Sequence, residues 1–182
     1  MWFYIIFGIL IVMVLYGFIL YNSLVKLDNQ VDEAFSTMDV YLKKRWDLIP
    51  NITKTVKAYA KHEKSVLEEV ITLRNEAYDN LSNDDKIMIN EKLNNGLAVI
   101  MASREAYPEL KASTNFNDLS KQLSIIEDEI ANSRKYYNGA VRIYNNKVEV
   151  FPNNVFARLF GKKSKTMFVA SLDERENKKI KL

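Results

Sequence analysis

The pattern of apolar and polar positions changes character once, at Tyr21. Met1 to Tyr21 reads MWFYIIFGILIVMVLYGFILY, with no charged side chain and no Pro. As a helix this stretch is about 31 Å long, close to the ~30 Å hydrocarbon core of a bilayer. Trp2 and Tyr4 lie at one end and Tyr21 at the other, where interfacial aromatics prefer to sit. Gly8 and Gly17 are tolerated in such a helix. A cleaved signal peptide would need a basic start, a short apolar core and a small-residue cleavage site. No Lys or Arg precedes Lys26, the apolar run is too long, and no A-x-A pattern follows. Residues 1–21 are therefore expected to be an uncleaved transmembrane anchor.

Beyond Tyr21 the apolar residues recur at steps of three and four. Leu24, Leu27, Val31, Ala34 with Phe35, Met38 and Leu42 mark one face of an amphipathic helix. This helix is expected to run on from the anchor to about Asp47, which would carry it roughly 39 Å past the bilayer. Pro50 interrupts the sequence at DLIPNI. Either the chain turns back there, with Pro50 opening a second helix, or one long helix kinks. The stripe stays in phase on both sides, through Ile49, Ile52, Val56, Val66 and Val70. A turn is expected because folding back lets two apolar faces cover each other, with the second helix over 50–80.

Ser82 and Asp85 form a capping-box pattern before a third helix expected over 84–106. Asn94, Asn95 and Gly96 blemish it, since Asn-Gly is a turn signal, yet the apolar phase survives across them. Pro108 ends it. The fourth helix, expected over 115–150, has the cleanest stripe: Leu119, Leu123, Ile126, Ile130, Tyr137, Val141, Tyr144 and Val148. Four amphipathic segments with short connections describe an all-α protein, a single N-terminal transmembrane helix continuing into an antiparallel four-helix bundle. Residues 151–170 are expected to cap the bundle or lie near the membrane. Phe156, Leu159 and Phe160 can share a helical face there, with Lys162, Lys163 and Lys165 beside it, a pattern suited to contact with a membrane surface. Thr166 to Ala170 reads as extended, and residues 171–182 as a charged, disordered tail.

The totals narrow the reading further. The chain has 182 residues, leaving about one domain's length after the anchor. Five Gly and three Pro favour long helices over many-stranded sheets. Without Cys there is no disulfide, thiolate nucleophile or cysteine-ligated metal. A net charge of +3 is too small to argue for nucleic acid, and none is expected as a partner. All Lys and Arg follow the anchor, so the positive-inside rule leans toward a cytoplasmic C-terminal domain at the cell membrane.

The stretches YNSLVKLDNQVDEAF, MDVYLKKRWDLIPNI and VKAYAKHEK, between Tyr21 and Lys64, resemble the hallmark segments of the LemA family. YPELKAS and RKYYNGAVRIYNNKVEVFPNNVFARLFG, residues 107–113 and 134–161, continue the likeness. RWDLIPN and FPNNVFARLFG are its most specific parts. The resemblance implies one N-terminal membrane helix, a membrane-tethered four-helix bundle, prokaryotic origin and no established catalytic set. Magnetosome membrane proteins of the MamQ type are similar to this family, which implies membrane organisation for some members. Trp46, Thr53 and Ala58 depart from the usual residues at their positions.

Few residues invite chemistry. His62-Glu63 is half of H-E-x-x-H, but Val66 fills the second His position and there is no other His. Di-iron bundles need Glu-x-x-His from two helices, which one His cannot supply. No Gly-rich phosphate loop or G-x-S-x-G is present, so no catalytic residue, metal or cofactor is expected. Glu127, Asp128 and Glu129 fan around the fourth helix and read as a solvated face. Arg45 falls in the core register of the first helix and Arg134 borders that of the fourth. With Asp39 and Asp47 as candidate partners for Arg45, these four make a structural or partner-binding polar cluster. The sequence thus reads as a non-enzymatic interaction or membrane-organising module, with the lipid bilayer and an unidentified protein as partners and homo-oligomerisation open. The alternatives are an accessory subunit of a membrane protease or other membrane-bound enzyme, and an oligomerising membrane-shaping protein.

Overall fold

The computed structural model describes residues 1–59, 64–74 and 77–168. Every regular element among them is a helix: α1 (Trp2–Tyr59), α2 (Lys64–Leu73), α3 (Asn83–Ala102), α4 (Pro108–Ala112), α5 (Thr114–Glu149) and α6 (Asn153–Leu159), with single 3-10 turns at Tyr78–Asn80 and Ser103–Glu105. His62 and residues 169–182, including part of the expected extended segment and the whole charged tail, lie outside the described residues. The chain forms two compact units. The first is built from Met1–Ser36 and Lys135–Met167, the second from Thr37–Arg134 with Phe168.

The turn expected at Pro50 does not occur: α1 runs through it. In an unbroken helix the amide of residue 50 would donate to the carbonyl of Trp46, and proline has none. That carbonyl takes a long hydrogen bond from Arg74 Nε instead, at 3.4 Å. The nearby Thr53 hydroxyl, buried in the same turn, donates to the carbonyls of Ile49 at 3.0 Å and Pro50 at 3.1 Å. Helix geometry therefore survives the proline because another segment serves the orphaned acceptor. The chain doubles back later, since Arg74 and Tyr78 return to the side of Trp46. The single helix expected over 50–80 is instead the end of α1, then α2, then the 3-10 turn.

In the second unit, α2 packs on α3 at Gly96, where a Cβ would run into Cγ2 of Val70. The Asn-Gly blemish thus lies where the two helices approach too closely for a side chain at position 96, and α3 passes through it unbroken. Ser82 caps α3 by accepting from the Asp85 amide at 3.2 Å and donating to its carboxylate at 2.6 Å. α3 ends at Ala102, short of the expected 106, and Pro108 opens α4 in the first-turn position where its missing donor costs nothing. Ser113 accepts from the Phe116 amide at 3.3 Å at the start of α5. The core here joins Met38, Leu42, Ile49 and Ile52 of α1 with Leu93, Leu97 and Ile100 of α3 and Leu123 and Ile130 of α5, all buried.

In the first unit, Phe35 of α1 meets Tyr137 of α5 edge-on, with ring centroids 5.7 Å apart. Val141, Tyr144 and Val148 continue the buried stripe of α5. α6 ends in a Schellman motif: Lys162 N–H donates to the Ala157 carbonyl at 2.9 Å and Gly161 N–H to that of Arg158 at 3.1 Å. Gly161 has φ 68°, the left-handed value such a stop requires. The chain then runs without regular structure through Phe168, tied to α5. Asn145 exchanges two bonds with the Lys165 backbone, at 2.8 and 2.9 Å, and the Tyr137 hydroxyl donates to the Thr166 carbonyl at 2.9 Å.

Candidate functional site: a buried arginine beside a polar cleft

Arg45 sits where an aliphatic side chain would be ordinary, one helical turn from Leu42 and Ile49, and it is fully buried. Nη1 donates to Asn94 Oδ1 at 2.6 Å and to both Glu127 oxygens at 2.9 and 3.1 Å. Nη2 donates to the Asn90 carbonyl at 3.0 Å and to Asn90 Oδ1. Asn90 is itself held, donating to the Lys86 carbonyl at 3.0 Å. Nε is buried with no hydrogen-bond partner among the described residues. Burial pulls the Arg45 pKa down, the Glu127 charge opposes that, and nearby Arg134 adds to it. A buried guanidinium survives only when its charge is matched, and Glu127 supplies the match. One side chain of α1 is thereby fastened to both α3 and α5.

Asp39 and Asp47 are not the partners of Arg45. Asp39 faces elsewhere: it accepts from the Tyr78 hydroxyl at 2.5 Å and from Lys86 Nζ at 2.8 Å. Burial first, and then the Asp39 carboxylate, push the Tyr78 hydroxyl pKa well up. Asp47 pairs along its own helix with Lys43 at 2.7 Å, in the open. Glu127, read from the sequence as part of a solvated acidic face, is the true counter-charge. Asn90 carries no signal in the sequence, and Asn94 stands out there only as part of the Asn-Gly blemish. Glu127 lies four residues after Leu123 and three before Ile130, both core positions, and that spacing is the signal that identifies it.

Glu127 turns its other side to a cleft of about 450 Å³ between α3 and α5. Asn94, Asn95, Asp128 and Arg134 line its polar end. Leu97, Met101 and Leu123 line the apolar end, with Ala98 and Ala131 between them. Arg134 belongs to this wall, and its guanidinium lies over the ring of buried Phe168, 5.2 Å from the centroid. The four residues expected as one cluster therefore separate. Arg45 and Arg134 lie at the back and rim of the cleft, and the two aspartates lie outside it.

The second candidate region belongs to the first unit. Phe156 rests on Gly17, where an added Cβ would sit 3.5 Å from its ring, and edge-on to Tyr16 at 5.5 Å. Phe160 meets Tyr21 at 5.2 Å. With Leu159 they line an apolar groove of about 510 Å³ against Leu10, Met13 and Phe18. The three lysines expected beside this face behave differently. Lys162 pairs with Asp28 at 2.5 Å, and Lys165 pairs with Asp28 at 2.6 Å and Asp32 at 2.8 Å. Lys163 is exposed. Burial pushes the Asp28 carboxyl up, but hydrogen bonds from Lys162 and Lys165 outweigh it and leave the pKa below the usual carboxylate value. The Asp28 hydrogen bond raises Lys162; Lys165 is raised by Asp28 and Asp32 against the burial that lowers it.

The family model described as LemA family matches residues 34–182. Protein LemA of Metamycoplasma hominis is 25% identical over 159 residues, covering 85% of this chain and 71% of that protein. The match takes in the RWDLIPN and FPNNVFARLFG segments, the buried Arg45 and the helix pair that holds it, and on its extent this chain belongs to the LemA family.

Proposed function

We propose that the protein is a single-pass membrane-anchored helical module that acts by interaction rather than by turnover. Met1–Tyr21 is the anchor, and the helices beyond it work as an antiparallel four-helix bundle on the cytoplasmic side. One observation carries the reading. α1 is apolar enough to cross a bilayer, its side chains from Met1 to Tyr16 are exposed, and α6 presses Phe156 and Phe160 onto Tyr16, Gly17 and Tyr21 at its end. The exposed side chains on and just before α6 support the same reading. Phe151, Val155 and Leu159 are 78, 52 and 76% exposed and recur every fourth residue, with exposed Arg158 and Lys163 nearby. Such a short amphipathic piece suits the headgroup region, where apolar side chains insert and cations meet phosphate.

The partner is a protein met at the bilayer, with a second copy of this chain as one form of it. The test uses the full chain reconstituted in phosphatidylcholine and phosphatidylglycerol vesicles. The protein is expected to float with the vesicles and to resist alkaline carbonate. Release of intact chain by carbonate would overturn the anchor. A reporter fused after Leu182 reads the side, and cross-linking in intact membranes reads association.

A further inference from the structure

The apolar groove between α1 and α6 has the dimensions of a lipid tail. We propose that it holds one acyl chain of an anionic phospholipid, whose phosphate is met by Arg158 and Lys163. This rests on the reading of residues 1–21 as the anchor and deepens it, from a chain that lies in lipid to one that keeps a particular lipid.

Three observations converge. The first is length and depth. The groove follows α1 from Leu10 to Tyr21. Over that stretch a helix rises about 16 Å, against roughly 15 Å for half of a ~30 Å hydrocarbon core. It therefore spans one leaflet, from the level of Tyr21 at the headgroups to the middle of the bilayer. The second is width and lining. A volume of about 510 Å³ is that of a small-molecule pocket, whereas a packed helix needs a channel about 10 Å wide. Among the described residues that line it, only Tyr21 carries a hydroxyl, and Tyr21 stands at the headgroup end. Met13, Val14 and Phe18 line it from α1 and stay exposed, so the described chain leaves the groove open. The third is charge. Lys162 and Lys165 are engaged by Asp28 and Asp32, which leaves the exposed Arg158 and Lys163 for an anion. Arg158 adjoins Leu159, a lining residue. Phe160 meets Tyr21, so the chain carrying Lys163 departs from the headgroup end, where a phosphate lies.

The groove is set before a lipid enters. The Tyr16 hydroxyl donates to Asn153 Oδ1 at 2.5 Å, Phe156 rests on Gly17, and Phe160 packs on Tyr21. α6 is thereby tied to α1 at both of its ends, and little ordering cost remains for the lipid to meet.

The test is native mass spectrometry of the full chain, released from nanodiscs of equimolar dioleoyl phosphatidylcholine and dioleoyl phosphatidylglycerol. The parent is expected to keep one phosphatidylglycerol, about tenfold more often than phosphatidylcholine. Val14→Trp fills the groove and should lose that lipid. Val12→Trp, at an exposed position of α1 outside the groove, should keep it. Arg158→Gln with Lys163→Gln should still keep a lipid, with the preference reduced to about twofold or less. A parent that retains no lipid, or retains both lipids equally, would overturn the proposal. So would equal retention by Val14→Trp and Val12→Trp, or a dimer that Val14→Trp abolishes, since the groove would then hold a second copy's helix. Flotation with the same lipids separates this from the anchor reading. A chain that floats and keeps no lipid loses only the groove, and one that does not float loses both.

Discussion

Removing the two halves of the Arg45–Glu127 pair should have unequal consequences, because the halves are unequally buried. The Arg45 side chain is 0% exposed and that of Glu127 is 38% exposed. Glu127→Ala strands a guanidinium in the core with only Asn90 and Asn94 to accept from it. Loss of one partner of a buried pair costs about 3–5 kcal/mol, and partial hydration through the cleft puts this case near the lower figure. Arg45→Met fills the same volume with an apolar side chain and leaves Glu127 to water. What it loses is the bonds to Asn90 and Asn94, so about 1–2 kcal/mol is expected. The double variant should resemble Arg45→Met alone, giving a coupling of at least about 2 kcal/mol. Trp46 is the reporter, buried next to Arg45 and 5.2 Å from the ring of Tyr78. Urea unfolding of the full chain in mild detergent, on a Trp2→Phe background, would follow its fluorescence. Additive losses, with coupling under about 0.5 kcal/mol, would refute the pairing as the organising contact.

Other variants probe the rest of the structure. Pro50→Ala restores an amide to the Trp46 carbonyl and should stabilise the second unit by about 1 kcal/mol in the same unfolding assay, with Arg74→Ala costing less there than in the parent. Gly96→Ala gains about 1 kcal/mol of helix propensity but drives a Cβ into stiff Val70, so a net loss of about 1–2 kcal/mol is expected, recovered in part by Val70→Ala. Asp28→Asn removes the charge, and one of the two oxygens, that hold two ammonium groups, and should speed exchange of the Lys165 amide, which Asn145 holds at 2.8 Å. In the parent that clamp has two pH limits. The lowered Asp28 contributes stability that is present above the ordinary carboxylate pKa and lost as pH falls through its own. The raised Lys162 and Lys165 contribute stability that is present below the ordinary lysine pKa and lost as pH rises through theirs. Lys165 amide exchange, corrected for its intrinsic rate, should therefore be flat across neutral pH and accelerate only at the two extremes.

Much of this architecture was legible in the periodicity of apolar residues. The buried stripe of α5 falls where spacing places it, at Leu119, Leu123, Ile130, Tyr137, Val141, Tyr144 and Val148. The Ser82 cap and the burial of Arg45 were equally legible, because each rests on local spacing. The passage of α1 through Pro50 was not. The stripe keeps phase across a kink and across a turn alike, and the deciding contact comes from Arg74, beyond the end of α2. The Asn-Gly pair misled for a related reason: Gly96 is set by Val70 on another helix, and Asn94 by Arg45 on a third. The candidate site was half visible. A buried cation announces that a partner exists, but three acidic residues in a row hide which one it is. Lys162 and Lys165 looked like free surface charge because Asp28 and Asp32 are far away in sequence.

The central claim is that residues 1–21 lie in lipid with α6 at the surface, and depth-resolved quenching tests it most directly. Leu10→Trp and, separately, Leu159→Trp are made on a Trp2→Phe/Trp46→Phe background in the full chain, in vesicles carrying lipids brominated at known depths. The account expects the probe at position 10 to be quenched most by bromines deep in the acyl chains and the probe at 159 by shallow ones. If acrylamide in the water quenches both freely while no brominated lipid does, the anchor and the surface helix are both wrong.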